Sequence, residues 1–181
     1  MGAYFSAMTN TQHIQPCVGI DIGKVIMAPV KGGKSDTSFL SGTLEQAMRT
    51  PPSPGAFEGV RALVDAFEGR AWLVSKCGAK VQHKTRLWLE HWDFFEATGM
   101  EAKSVRFCLK RPQKADHCAE LGITHFIDDR LDVLECLRGL VSNLYLFGEQ
   151  RNADRTPDWA VCVADWAGTT KRVLEDLEND R

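Results

Sequence analysis

Short apolar runs alternate along this chain with longer amphipathic stretches. Cys17–Ile22 (CVGIDI), Ala71–Ser75 (AWLVS), Val105–Leu109 (VRFCL), Thr124–Ile127 (THFI) and Leu144–Phe147 (LYLF) are brief and rich in β-branched and aromatic residues. That combination predicts strands buried on both faces. Between them, Gly55–Glu68 sets Phe57, Val60, Leu63, Val64 and Phe67 on one helical stripe, with Gly69 placed to stop it. Thr85–Ala97 carries Trp88, Trp92 and Phe95 at helical spacing and ends before Gly99. Lys114–Leu121 ends at Gly122, and Leu131, Leu134 and Leu137 mark another helix before Gly139. Ala160–Ala164 reads as a further strand, and Thr170, Val173, Leu174 and Leu177 as the face of a terminal helix.

Strands and helices in alternation imply βαβ units: an α/β fold with a mostly parallel sheet covered by helices on both faces. Such sheets bind ligands beyond the carboxyl ends of their strands. Met27–Pro54 interrupts the rhythm with Gly32, Gly33, Gly42 and the prolines 29, 51, 52 and 54. It reads either as a mobile excursion of a size that covers active sites or as a plain surface loop. The expected organisation is an N-terminal tail over 1–15 and one domain over 16–181. That domain includes the loop at about 27–54 and a strand–helix extension at about 159–178.

Composition narrows the class further. The chain has 181 residues, 44% hydrophobic and 25% charged, which suits one domain with a full core. No apolar run approaches a membrane span, and the first residues lack the basic and apolar regions of a secretory signal. Gly2 and Ser6 fit a loose myristoylation pattern, which is weaker than a plain tail as an explanation. A formal net charge of −2 supplies no broad basic face for nucleic acid or anionic lipid. The cysteines at 17, 77, 108, 118, 136 and 162 show no zinc spacing, and Cys17, Cys77, Cys108 and Cys162 sit in or beside apolar runs. Reduced cysteines in a cytoplasmic protein are the expectation.

The chemistry gathers where strands end. Asp21 closes the first strand, Ser75 the second, and Asp128 with Asp129 follows the fourth; Lys114 opens the helix before that fourth strand. In a parallel sheet all of these face one rim. Carboxylates that hold Mg²⁺, with a hydroxyl and an ammonium that neutralise phosphate oxygens, suit phosphoryl transfer. Each residue also has a plainer reading. Ser75 could simply end a strand, Lys114 could be a solvated helix-start lysine, and Asp128–Asp129 could cap the next helix. Together with Asp132, however, those acids crowd negative charge that calls for a cation.

The segments DIGKVI at Asp21, WLVS ending at Ser75, Lys114 itself and HFIDDRLD through Asp128–Asp132 resemble, in order, the four motifs of the haloacid dehalogenase-like (HAD) hydrolase superfamily. The resemblance spans roughly Val18 to Leu137 and is nearest the nucleotidase-like and small-phosphatase branches. It implies a Rossmann-like three-layer sandwich with strand order 5-4-1-2-3. It also implies Asp21 as nucleophile and Mg²⁺ ligand, the Gly23 carbonyl and Asp128 as further ligands, and Ser75 as a hydrogen-bond partner of the phosphoryl group. Lys114 would balance charge, and Asp129 and Asp132 would support the metal shell or Lys114. The implied activity is Mg²⁺-dependent hydrolysis of a phosphomonoester, a nucleotide or another accessible phosphorylated substrate.

The motif departs from the family at Gly23, where an aspartate usually serves as general acid and base. Loss of such a group costs about 10²–10⁴ in rate. Asp36, Glu45 and His83 are candidate replacements. The alternative is a protein that binds metal or phosphate and turns over weakly. No separate cap domain fits between Asp21 and Ser75 or between Ser75 and Lys114, so the site is expected to be open. Trp88 and Trp92 could offer stacking surface there or pack in the core. Gly33-Lys34-Ser35 looks like the end of a P-loop, but Ala28 stands where its first glycine would be.

Overall fold

A computed structural model describes residues 15–28, 37–150 and 157–180. Residues 1–14 of the expected N-terminal tail, Asp36 and Gly33-Lys34-Ser35 lie outside the described residues.

Among the described residues, six strands form one sheet: β1 (Val18–Ile20), β2 (Ala71–Lys76), β3 (Val105–Cys108), β4 (His125–Asp128), β5 (Asn143–Phe147) and β6 (Val161–Val163). Every neighbouring pair is parallel, in the order β3-β2-β1-β4-β5-β6. The first five strands thus stand in the expected relative order, and β6 extends the edge beside β5. The chain winds outward from β1 through β2 to β3, then returns to the other side of β1 with β4. Between β1 and β4 the winding direction reverses, and such a switch point opens a crevice at the carboxyl end of a parallel sheet.

Helices cover both faces. α3 (Ala56–Ala66), α4 (Ala79–His91), α5 (Phe94–Thr98) and α8 (Trp166–Asn179) share one core cluster with Ile20, Leu73, Ile127, Tyr145 and Val163 of the strands. α6 (Gln113–Leu121) and α7 (Leu131–Leu137) close the other face over Val74, Phe126, Leu144 and Leu146. The alternation of strand side chains divides these two clusters, as apolar residues on both faces require. Gly19 is needed for close packing. A Cβ there would lie 2.5 Å from the Phe126 ring and 2.9 Å from Ile123, so only hydrogen fits between β1 and the β4 side chain.

The stretch read as one helix over Thr85–Ala97 is two. α4 begins earlier, at Ala79, and ends at His91; Asp93 takes the left-handed conformation (φ 51°) and redirects the chain into α5. The turn lets both Trp88 and Phe94 reach the core, where each is fully buried. The 27–54 excursion also contains two short helices, α1 (Thr37–Leu40) and α2 (Leu44–Met48). Its two ends clasp each other, with Ala28 N–H donating to the Pro51 carbonyl at 2.9 Å and Ser53 N–H to that of Ile26 at 2.7 Å. α4 holds the middle: Lys84 Nζ donates to the Gly42 carbonyl at 2.7 Å, Trp88 Nε1 to Thr50 at 2.7 Å and Trp92 Nε1 to Met48 at 3.2 Å. The tryptophan stripe therefore serves packing and anchoring. No described helix is long and apolar enough to cross a membrane. None of the six cysteines forms a disulfide; Cys17, Cys77, Cys108 and Cys118 are buried, whereas Cys162, on the edge strand, is exposed with Cys136.

Candidate functional site

Asp21 follows β1 directly, and its N–H donates to the Ile127 carbonyl at 2.9 Å. That bond sets it level with Asp128, the last residue of β4, on the two strands that flank the switch point. Lys114 reaches the same place from the first turn of α6. The turn before α6 is tied by Gln113 Oε1, which accepts from Leu109 N–H at 3.1 Å and Lys110 N–H at 2.9 Å. A cation in a helix's first turn opposes the helix dipole, so this position needs other partners. They are present: Lys114 Nζ donates to Asp21 Oδ1 at 2.6 Å and Asp128 Oδ2 at 2.7 Å, over the Phe126 ring at 5.4 Å. The lysine side chain is 2% exposed and the Asp128 side chain 1%.

Burial shapes the charges here. Burial alone would depress the Lys114 ammonium, but the Asp21 and Asp128 carboxylates outweigh it and hold its pKa above the ordinary lysine value. Burial, then the Asp21 charge, pushes Asp128 up to about 7, against the pull of Lys114. The same two causes raise Asp129, against the pull of Lys24. Asp21, Asp128 and Asp129 each bring a carboxylate oxygen within 4.8 Å of the others. Lys114 and Lys24, whose half-exposed Nζ lies 3.5 Å from Asp129 Oδ2, face these acids, and the Arg130 charge acts on Asp128 and Asp129 as well. An all-oxygen set of this kind fits a hard divalent cation such as Mg²⁺.

Ser75 lies near the end of β2, beside β1, and is buried. Gly23 sits in the exposed turn after Asp21, closed by Ile26 and Met27 N–H groups on the Ile22 carbonyl, both at 3.0 Å. A Cβ built on Gly23 meets only Asp21 Oδ2, at 3.8 Å, and the residue has no left-handed φ. The position could hold a side chain, yet none is there.

The structure brings Asp21, Lys114, Asp128 and Asp129 together, with Ser75 on the neighbouring strand. Asp132 does not join them. It is half-exposed and pairs with Arg130 at 2.9 Å and Arg111 at 3.7 Å, because the first turn of α7 carries it outward. Arg130 contributes its own N–H to Asp128 Oδ1 at 3.0 Å. Of the candidate proton donors, Glu45 on α2 pairs with Arg49, and His83 is exposed on α4. Sequence reasoning missed Lys24, which adopts φ 61° and faces Asp129. Its adjacency to Gly23 was the available signal. Comparison of the chain with protein-family models and with curated proteins finds no match.

Proposed function

We propose that this chain is a Mg²⁺-dependent phosphohydrolase of the HAD type, acting on a phosphomonoester through Asp21. The observation that carries the reading is the buried Asp21–Lys114–Asp128 group at the switch point, with Asp129 beside it. Asp21, Asp128 and the Gly23 carbonyl would hold the cation, with Asp129 supporting it. When bound, Mg²⁺ would supply charge neutralisation of the phosphate oxygens.

In this mechanism an Asp21 carboxylate oxygen forms a bond to phosphorus while the ester P–O bond breaks, and the leaving oxygen takes a proton from solvent. Water then attacks the phosphorus of the aspartyl-phosphate, the bond to Asp21 breaks, and inorganic phosphate leaves. Lys114 orients Asp21 through Oδ1 and offsets the negative charge gathered on carboxylate and phosphate. Ser75, from the adjacent strand, donates its hydroxyl to a phosphoryl oxygen. The test is Mg²⁺-dependent phosphate release from p-nitrophenyl phosphate and a nucleotide panel. Asp21→Asn should reduce release to background, and equal rates for wild type and variant would sink the mechanism.

The open space at Gly23 favours a second reading, in which the site binds metal or phosphate and turns over weakly for want of a general acid. A Cβ at Gly23 meets only Asp21 Oδ2 at 3.8 Å, and Gly23→Asp separates the two. A gain of about 10² or more in rate for poor leaving groups identifies a weakened phosphatase. No gain, together with tight phosphate binding, identifies a binding protein.

A further inference from the structure

Charge is spread unevenly over this chain. From Ala71 to Leu89 it carries Lys76, Lys80, Lys84 and Arg86 and no acid, within a chain of net charge −2. From Ala102 to Ala115 it again carries only cations, ending in Lys110, Arg111 and Lys114. The fold sets these stretches side by side. β2 and β3 are parallel neighbours with Lys76 opposite Cys108, and the connections that follow them open on the carboxyl edge, on the flank of Asp21 away from β4.

Several of these cations are engaged. Arg86 lies over Phe107 at 5.0 Å, Arg106 over Trp72 at 4.5 Å, and Lys84 holds the α1–α2 segment. Lys76, Lys80 and Lys110 are exposed and make no ion pair among the described residues. Lys76 and Asp21 share one neighbourhood, since the charges of both act on the Cys77 and Cys108 thiols.

A cluster of three carboxylates repels an incoming phosphate dianion, and a cationic flank counters that repulsion by steering and holding anionic substrate. Lys114 and Ser75 already serve the reacting phosphate. Asp21 stands level with Val74, so Lys76 lies one strand over and two residues further along, roughly 8 Å at ordinary strand spacing and rise, and Lys110, two strands over and past the end of β3, lies farther still. They suit a second anionic group on the same molecule better than the group at Asp21. Resting on the phosphohydrolase reading above, we infer that the substrate carries a second phosphate, held by Lys76, Lys80 and Lys110 on the β2–β3 flank. A free nucleoside bisphosphate and the phosphorylated end of a nucleic-acid strand both present that chemistry.

The experiment compares AMP, adenosine 3′,5′-bisphosphate and a 5′-phosphorylated oligonucleotide at low and at high salt. The expected kcat/KM preference for a doubly phosphorylated substrate over AMP is about tenfold at low salt, resides in KM, and shrinks as salt screens the lysines. Preference for the bisphosphate alone identifies a small molecule; the strand end acting better than the bisphosphate identifies nucleic acid. The triple variant Lys76→Ala/Lys80→Ala/Lys110→Ala should lose more activity toward the preferred substrate than toward AMP, and bring the ratio to about twofold or less. Turnover of AMP with no such preference, or a preference untouched by the triple variant, overturns the inference and leaves the phosphohydrolase reading standing. If no ester is turned over, that reading fails, and calorimetric binding of the bisphosphate against AMP decides the inference by itself. Tighter bisphosphate binding that the triple variant weakens supports it, and equal binding overturns it.

Discussion

Lys114→Met tests whether the buried ion group is held together as the geometry implies. Methionine keeps the length of the aliphatic stem beneath Phe126 and removes the charge. Asp21 and Asp128 then lose bonds of 2.6 and 2.7 Å and are left buried beside Asp129. Removing one partner from a buried ion pair costs about 3–5 kcal/mol, because the remaining charge has neither water nor a counter-ion. For a domain of this size each kcal/mol moves Tm by about 2–4 °C, so the expected loss is on the order of 10 °C at pH 7.5 in chelator.

The pH dependence carries a sign. Asp128 already titrates well above its unfolded value of 3.8, at about 7, so the folded state binds the extra proton. Without Lys114 that preference strengthens. The deficit relative to wild type should be largest above about pH 7 and shrink as pH falls and the carboxylates protonate. Adding Asp128→Asn to Lys114→Met removes one of the stranded charges and should recover a large part of the loss. Thermal melts of wild type, both single variants and the double variant at pH 5 and 7.5 read all of this. A Lys114→Met protein that melts within about 1 °C of wild type at both pH values would refute the argument.

Two further outcomes are expected away from the site's chemistry. His125 is fully buried, with Nδ1 2.8 Å from Thr124 Oγ1 and Nε2 3.1 Å from Asn143 Nδ2; its ring stacks on Tyr145, and Asp180 lies 3.8 Å away. Burial lowers its pKa below 6.5, against the pull of Asp180 and Asp176, so its neutral form stabilises the fold. That contribution is present above pH 6.5 and is lost as pH falls from there through the folded value. Urea melts should show a decline over this range that His125→Phe flattens; an unchanged slope in the variant would assign the decline to other groups. Gly19→Ala forces a methyl to within 2.5 Å of Phe126 and should cost about 1–3 kcal/mol in urea unfolding. A cost below about 0.5 kcal/mol would mean that β1 and β4 separate more freely than their packing suggests.

Much of this molecule was legible in one dimension. Apolar runs marked the strands because a parallel strand buried on both faces has no polar side to show, and Leu131, Leu134 and Leu137 marked a helix because one stripe must meet the sheet. Asp21 and Asp128 could be read as strand-end acids for the same reason: each follows directly on an apolar run. Local pattern reports which face of an element is dry, and it carries no record of partners distant in sequence. Only the tertiary structure set Lys114 between two carboxylates on β1 and β4, turned Asp132 outward onto Arg130, and brought Lys24 to Asp129. It also decided that the helix of tryptophans breaks at Asp93 and that the excursion after β1 is clasped to α4. Those outcomes depend on which groups meet across the sheet, where burial makes charge balance and close packing decisive.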